Sequence, residues 1–332
     1  MNNLSWQTAL KNAVTEPQQL LELLELNSAL LPAAQQAAKL FPLRVPRGFI
    51  ARMQKGEPLD PLLQQVLPLG AELIETSGYV SDPLQEKSAN PLPGLLHKYH
   101  GRVLLTVTSA CGVNCRFCFR REFPYAENNP GVAGWEAALQ YIAADPSIHE
   151  VILSGGDPMV AADKQLAALT AKIAEISHVT TLRIHTRLPI VLPERITAEL
   201  IQGLTTTRLQ GVMVLHCNHA QEIDAHVIAA MKMLQDAGIT LLNQSVLLKG
   251  INDSVVTLVA LSKKLFSAGI LPYYLHQLDK VRGVAHFEVD DARARDLVAH
   301  MTQQLPGYLV PKLVREIPGV AAKVGLSVQP VI

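Results

Sequence analysis

Cys111, Cys115 and Cys118 fall within SACGVNCRFCFRREF, a C-x3-C-x2-C spacing that offers three thiolates from one short stretch. A 4Fe-4S cluster is normally held by four thiolates, one to each iron. Three closely spaced ones leave one iron open to a ligand from outside the chain. A structural zinc would need four ligands and would have to recruit Cys217 or a histidine such as His100. Zinc sites usually repeat a C-x2-C pair, and this chain has no second pair. The residue types therefore favour an iron cluster with an open corner.

The elements that must hold this loop are legible from residue 102 onward. β-Branched runs occur in RVLLTVTSA, EVILSGGDP, TTLRIHTR, LQGVMVLHCNH, TLLNQSVLL and ILPYYLHQLD. Each is followed by an amphipathic stretch: GWEAALQYIAA, KQLAALTAKIAEIS, ERITAELIQGL, EIDAHVIAAMKMLQDAG, SVVTLVALSKKLFSAG and ARARDLVAHMTQQL. Repeated βα units predict an α/β fold with a parallel sheet. Periodicity alone does not choose between an open sheet and a barrel, but Cys111 directly follows the first run, and barrels build their sites from such βα loops. SGGDP follows the second run; two glycines after a strand usually mark only a tight turn. Residues 1–95 read as an N-terminal helical region, with apolar residues at helical spacing in LLELLELNSALL and prolines at Pro17, Pro32, Pro42, Pro46 and Pro58. PLQEKSANPLPG reads as a linker into a second region, 96–332.

A chain of 332 residues accommodates one large α/β domain with an appendage. Lys plus Arg and Asp plus Glu number 29 each, so there is no electrostatic footprint for nucleic acid or an anionic membrane, and a small-molecule substrate fits better. Three of the four cysteines are crowded together, unlike a secreted disulfide framework, so a reducing cytoplasm is expected. MNNLSWQTALKNAVTEPQQ has neither a basic n-region nor an apolar h-region, and no run of apolar residues is long enough to span a bilayer. Neither an export signal nor a membrane span is expected.

CRFCFRREF, with Phe117 before the third cysteine, resembles the radical S-adenosylmethionine superfamily. Within it, LSGGDP, RLPIVLPERIT, HCNHAQEI, NQSVLLKGIND, YYLHQLDKVRGVAHF and EIPGVAAKVGL resemble the lysine 2,3-aminomutase family over about residues 96–326. The resemblance implies a partial (β/α)6 barrel with a 4Fe-4S cluster on Cys111, Cys115 and Cys118 at the C-terminal edge of its strands. It implies S-adenosylmethionine on the open iron, pyridoxal 5'-phosphate as a further cofactor, and an isomerase. The adenosyl radical would take a hydrogen from C3 of L-lysine, and the amino group would move to give β-lysine. The chain is most similar to the shorter family members, which supply β-lysine for modifying elongation factor P. That implies a functional link to this factor and its lysyl ligase, and a one-electron donor such as flavodoxin or ferredoxin. No cysteine follows Cys217, so no C-terminal zinc is expected.

The same resemblance assigns residues. Lys323 in PGVAAK takes the position of the lysine that carries pyridoxal phosphate, and Arg120 that of the substrate-carboxylate arginine, a task suited to a planar guanidinium. Asp279 and Glu316 take the two acidic positions that grip the side-chain amine, Glu316 being longer than the usual aspartate. Gly155, Gly156 and Asp157 match the motif that holds the methionine moiety, with Asp157 in place of the commoner glutamate. His216 and Asn243 match nucleoside-cofactor positions, and Arg102 and Arg187 are candidates for the pyridoxal phosphate group. No second metal is expected at His216, Cys217 and His219. Val320, Ala321 and Ala322 stand where the family usually has glycine, and their Cβ atoms restrict positive φ. By residue type alone, Lys323, Asp279 and Glu316 would read as solvated charges. Two carboxylates and one arginine would select a dibasic amino acid and reject glutamate. The open alternatives are an aminomutase for another amino acid and, in a different class, a zinc-stabilised binding module of the translation apparatus.

Overall fold

The computed structural model describes residues 5–123 and 131–328; residues 1–4 of the N-terminal stretch read above lie outside them. The six β-branched runs form neighbouring strands in chain order: β2 (Arg102–Thr108), β3 (Glu150–Gly155), β4 (Thr181–Thr186), β5 (Gln210–Leu215), β6 (Thr240–Val246) and β7 (Leu271–His276). All pair in parallel with their neighbours. Three further strands extend the sheet. β1 (Leu95–Tyr99) runs antiparallel to β2, β8 (Lys312–Arg315) continues the parallel set after β7, and β9 (Val324–Gly325) returns antiparallel to β8. The order runs β1 to β9 without reversal, so every parallel strand exit lies on one edge. This is the α/β fold of a partial barrel.

The six amphipathic stretches form the helices Gly131–Ala144, Asp163–Glu175, Ala198–Thr205, Ala225–Asp236, Val255–Ser267 and Asp291–Gln304. Four of them start on a side-chain cap: Thr197, Asp224, Ser254 and Asp290 each accept a backbone N–H three residues on, satisfying a donor that the first turn leaves unpaired. No helix among the described residues is long and apolar enough to cross a membrane.

The N-terminal region is helical but more broken than its spacing predicts. LLELLELNSALL does not form one helix: Pro17–Leu23 ends before Glu25, which has φ 56°, and the Asn27 side chain accepts from Ala29 N to begin a new turn. One apolar cluster joins Trp6, Leu20, Phe49 and Leu62 of this region to Val151, Leu153 and Ile184 of the sheet. The segment read as a linker is docked rather than loose. It contains a short 3-10 helix, Glu86–Ala89, whose first residue is only 4% exposed.

Candidate active site

The cysteine loop leaves β2 and is fixed from two sides. On one side lies the exit of β3, where Gly156 N donates to Thr108 O at 2.7 Å and Asp157 N to Ala110 O at 2.8 Å. Gly155 has φ +119°, and a Cβ on Gly156 would collide with the Ala110 carbonyl. The two glycines therefore do more than turn the chain; they let two backbones meet. On the other side the N-terminal region clasps the loop. Asn114 N donates to Arg44 O and Arg116 N to Gln65 O. The fully buried Arg116 places Nε and Nη2 on Glu72 at 2.8 and 2.6 Å, and Arg121 adds a third bond to Glu72 at 2.7 Å. None of this was legible in the sequence, because each partner on the N-terminal side lies 44 to 70 residues upstream of the residue it holds.

All three cysteines are free thiols. Burial pushes each of them up, Cys118 to about 11, and neighbouring sulfurs add to this at Cys111 and Cys118, whereas Arg187 opposes it at Cys115. Desolvated thiols that repel one another as anions suit a polycationic centre, which deprotonates its ligands. Among the described residues no three His, Cys, Asp or Glu side chains form a site for a metal ion. A four-iron cluster is wider than one ion, and three free thiols on one fixed loop fit its donor set.

Several residues expected at the cofactors have their side chains engaged within the protein. Asp157 accepts from Met159 N, Thr186 Oγ1, Arg187 N and Leu188 N, so its carboxylate ties the exit of β3 to that of β4. Asn243 accepts from Cys217 N and donates to Cys217 O and Ser245 Oγ, a clip between the exits of β5 and β6. Arg187 lies against the cysteine loop: Nη1 donates to Cys115 Sγ at 2.8 Å, and Nη2 to Gln65 Oε1 and Glu222 Oε2. Buried among an anion, a thiol and the Phe49 and Phe117 rings, it is a neighbour of the cluster site. In HCNH, Cys217 Sγ donates to His219 O, and His219 Nδ1 accepts from Gln221 N.

The ionic residues converge on one interior. Lys323 Nζ donates to Glu316 and stands 5.6 Å from the centre of the Tyr274 ring. Asp279 is pushed up to about 7, first by burial and then by Glu316, with Lys323 opposing. His185 and His216 are driven down by burial, and each also feels both Lys323 and Arg120. His276 is held down in the same way, with Lys323 contributing. Three neutral imidazoles thus lie within electrostatic reach of Lys323, two of them also within reach of Arg120, while Asp279 lies within reach of Glu316 and Lys323. Tyr99 joins this group: burial and a hydrogen bond to Glu316 raise its phenol, and Arg102 stacks on its ring at 4.9 Å. Lys323, partly covered among an aromatic ring and polar groups, fits the attachment point of an aldehyde cofactor. The turn before it places its left-handed residue at Gly319, φ +77°, and Val320, Ala321 and Ala322 keep negative φ. Sequence reasoning missed Glu86, Lys98, Tyr99, Tyr274, His185 and His276. A polar residue at a strand's C-terminal end was the available signal for His276.

The Radical SAM superfamily model matches residues 105–211. The L-lysine 2,3-aminomutase of Escherichia coli (strain K12) is 51% identical over 325 residues, 98% of this chain and 95% of its own. That of Haemophilus influenzae is 51% identical over 95% of this chain and 93% of its own. That of Clostridium subterminale is 33% identical over 96% of this chain and 76% of its own. Among solved structures, a radical SAM methyltransferase from Sphaerobacter thermophilus aligns with 67% of this chain and 68% of its own at a TM-score of 0.44 and 16% identity. Radical SAM enzymes use a 4Fe-4S cluster and S-adenosylmethionine, and lysine 2,3-aminomutases also use pyridoxal 5'-phosphate. At 47–51% identity to three of these enzymes over nearly its whole length, the chain belongs to the L-lysine 2,3-aminomutase family, isomerases of the radical SAM superfamily.

Proposed function

We propose that the chain converts L-α-lysine to β-lysine and that its product serves the modification of elongation factor P. The observation that carries the substrate is the charge arrangement: His185 and His216 lie within electrostatic reach of both Arg120 and Lys323, and Lys323 pairs with Glu316 within reach of Asp279, which matches a carboxylate at one end of the substrate and an ammonium at the other. Cys111, Cys115 and Cys118 would hold the cluster, and Lys323 the pyridoxal phosphate. When bound, these groups supply one-electron chemistry and an electron sink for moving nitrogen between adjacent carbons.

The chain's own residues do positional work. Arg120 orients the carboxylate, Asp279 and Glu316 fix the far end, and the lysine carbons between them are set at a defined depth. His185, His216 and His276 are neutral, so they add polarity without a competing charge.

Incubating the anaerobically reconstituted protein with L-lysine, dithionite and S-adenosylmethionine, followed by chiral chromatography, should yield β-lysine. No rearrangement by protein with an intact cluster would overturn the substrate assignment. In cells deprived of the chain, elongation factor P should lack the β-lysyl mass; an unchanged mass would remove that link.

Asp279 gives a pH dependence. Its carboxyl titrates at about 7, above the usual range, so it is neutral below that pH and anionic above it. The lysine side chain stays cationic throughout. Ionisation then favours binding, and KM for L-lysine should rise about tenfold between pH 8 and pH 6, following the lost anionic fraction. Asp279→Asn should flatten this limb of the profile; a profile that keeps its slope in that variant assigns the titration elsewhere.

A further inference from the structure

Glu86 lies in the segment whose composition reads as a linker, yet its carboxylate is buried and holds two cations. It accepts from Arg120 Nε at 2.7 Å and Nη2 at 2.8 Å, and from Lys98 Nζ at 3.0 Å. Burial alone would raise its pKa, but Arg120 and Lys98 more than offset that and bring it to about 2. Arg120 is further packed against the Phe119 and Phe123 rings and donates to Ser154 Oγ at 3.3 Å.

We propose that Glu86 is a positioning residue for substrate: through its paired bonds to Arg120 it sets the plane and depth of the guanidinium that receives the substrate carboxylate. This rests on the assignment of Arg120 as the carboxylate anchor. A bidentate pair fixes orientation as well as distance, whereas a single bond leaves the plane free to rotate. Lys98 keeps the local charge positive, since two cations face one anion, so an incoming carboxylate is still attracted. A competing role, in which Glu86 fills the carboxylate position and is displaced by substrate, would require it to leave two close buried cations, which is costly.

The test uses the reconstituted holoenzyme and compares L-lysine with L-lysinamide, which lacks the anionic carboxylate, as competing ligands. Glu86→Gln should raise KM for L-lysine about tenfold or more, the range expected when one partner of a buried charge pair is neutralised. Iron content and the cluster spectrum should stay at parent level, and the preference for L-lysine over L-lysinamide should shrink. Glu86→Asp keeps the charge and should recover part of the affinity, and it serves as the variant if Glu86→Gln fails to fold. Arg120→Gln should abolish the preference. If Arg120→Gln leaves the preference intact, the anchor assignment itself is wrong. If Arg120→Gln abolishes it but Glu86→Gln leaves KM unchanged or lowers it, the positioning role alone is overturned. Where Glu86→Gln does not fold, a Glu86→Asp variant with the preference and KM of the parent has the same meaning.

Discussion

Cys115→Ala is expected to give protein that, after anaerobic reconstitution with iron and sulfide, lacks the visible cluster absorption of the parent and converts no L-lysine above background. The drop should be at least about 10^6-fold, because the remaining site has no means of making a radical and typical enzymatic accelerations are of this order. Cys115 is the sharpest of the three positions. Its sulfur accepts from Arg187, and it lies next to Arg116, which ties the loop to Glu72. The substitution removes one cluster ligand while leaving the ion pairs of Arg116 with Glu72 and of Arg187 with Glu222 in place. An unchanged melting profile would show that the fold survives. Parent-level cluster absorption in the variant would mean that Cys115 is not a ligand.

Lys323→Ala is expected to lower turnover by at least about 10^3-fold, in keeping with the loss of a covalent catalytic group. The accompanying measurement is direct: borohydride treatment of the parent protein supplied with pyridoxal phosphate should leave the pyridoxyl mass on the peptide containing Lys323. Lys323→Arg separates charge from attachment. It retains a cation beside Glu316 but offers no primary amine, so it should be as inactive as alanine while disturbing Asp279 less. Recovery of pyridoxyl mass on another lysine, with activity retained in both variants, would relocate the attachment point.

The order of strands and helices was legible because its signals are local, whereas the barrel came from the resemblance. β-Branched runs alternate with amphipathic stretches, and six strands and six helices follow at the expected places. β1 escaped because LLHKY is short and polar at three positions, and β8 and β9 because strands of four and two residues carry too few positions to show a period. The cysteines were recognisable by type and spacing. Arg187, Asp157 and Asn243 were named through the resemblance, but their partners were not legible. Whether Asp157 faces a ligand or four donors of its own chain depends on where β4 ends relative to β3, which is a property of the folded sheet. Glu86 was the hardest to find. A glutamate among proline, serine and asparagine has the composition of solvated chain, and only Arg120 and Lys98, from two other elements, make it a buried ion.

The clasp around the cysteine loop also bears on how the protein meets iron. Glycine-mediated backbone bonds on one face and the Arg116–Glu72 pair on the other are made by groups other than the three thiols. Ordering the loop through these contacts costs conformational entropy that is lost as the chain folds. Every such contact made by a group other than a thiol is one that the cluster's binding energy does not have to supply.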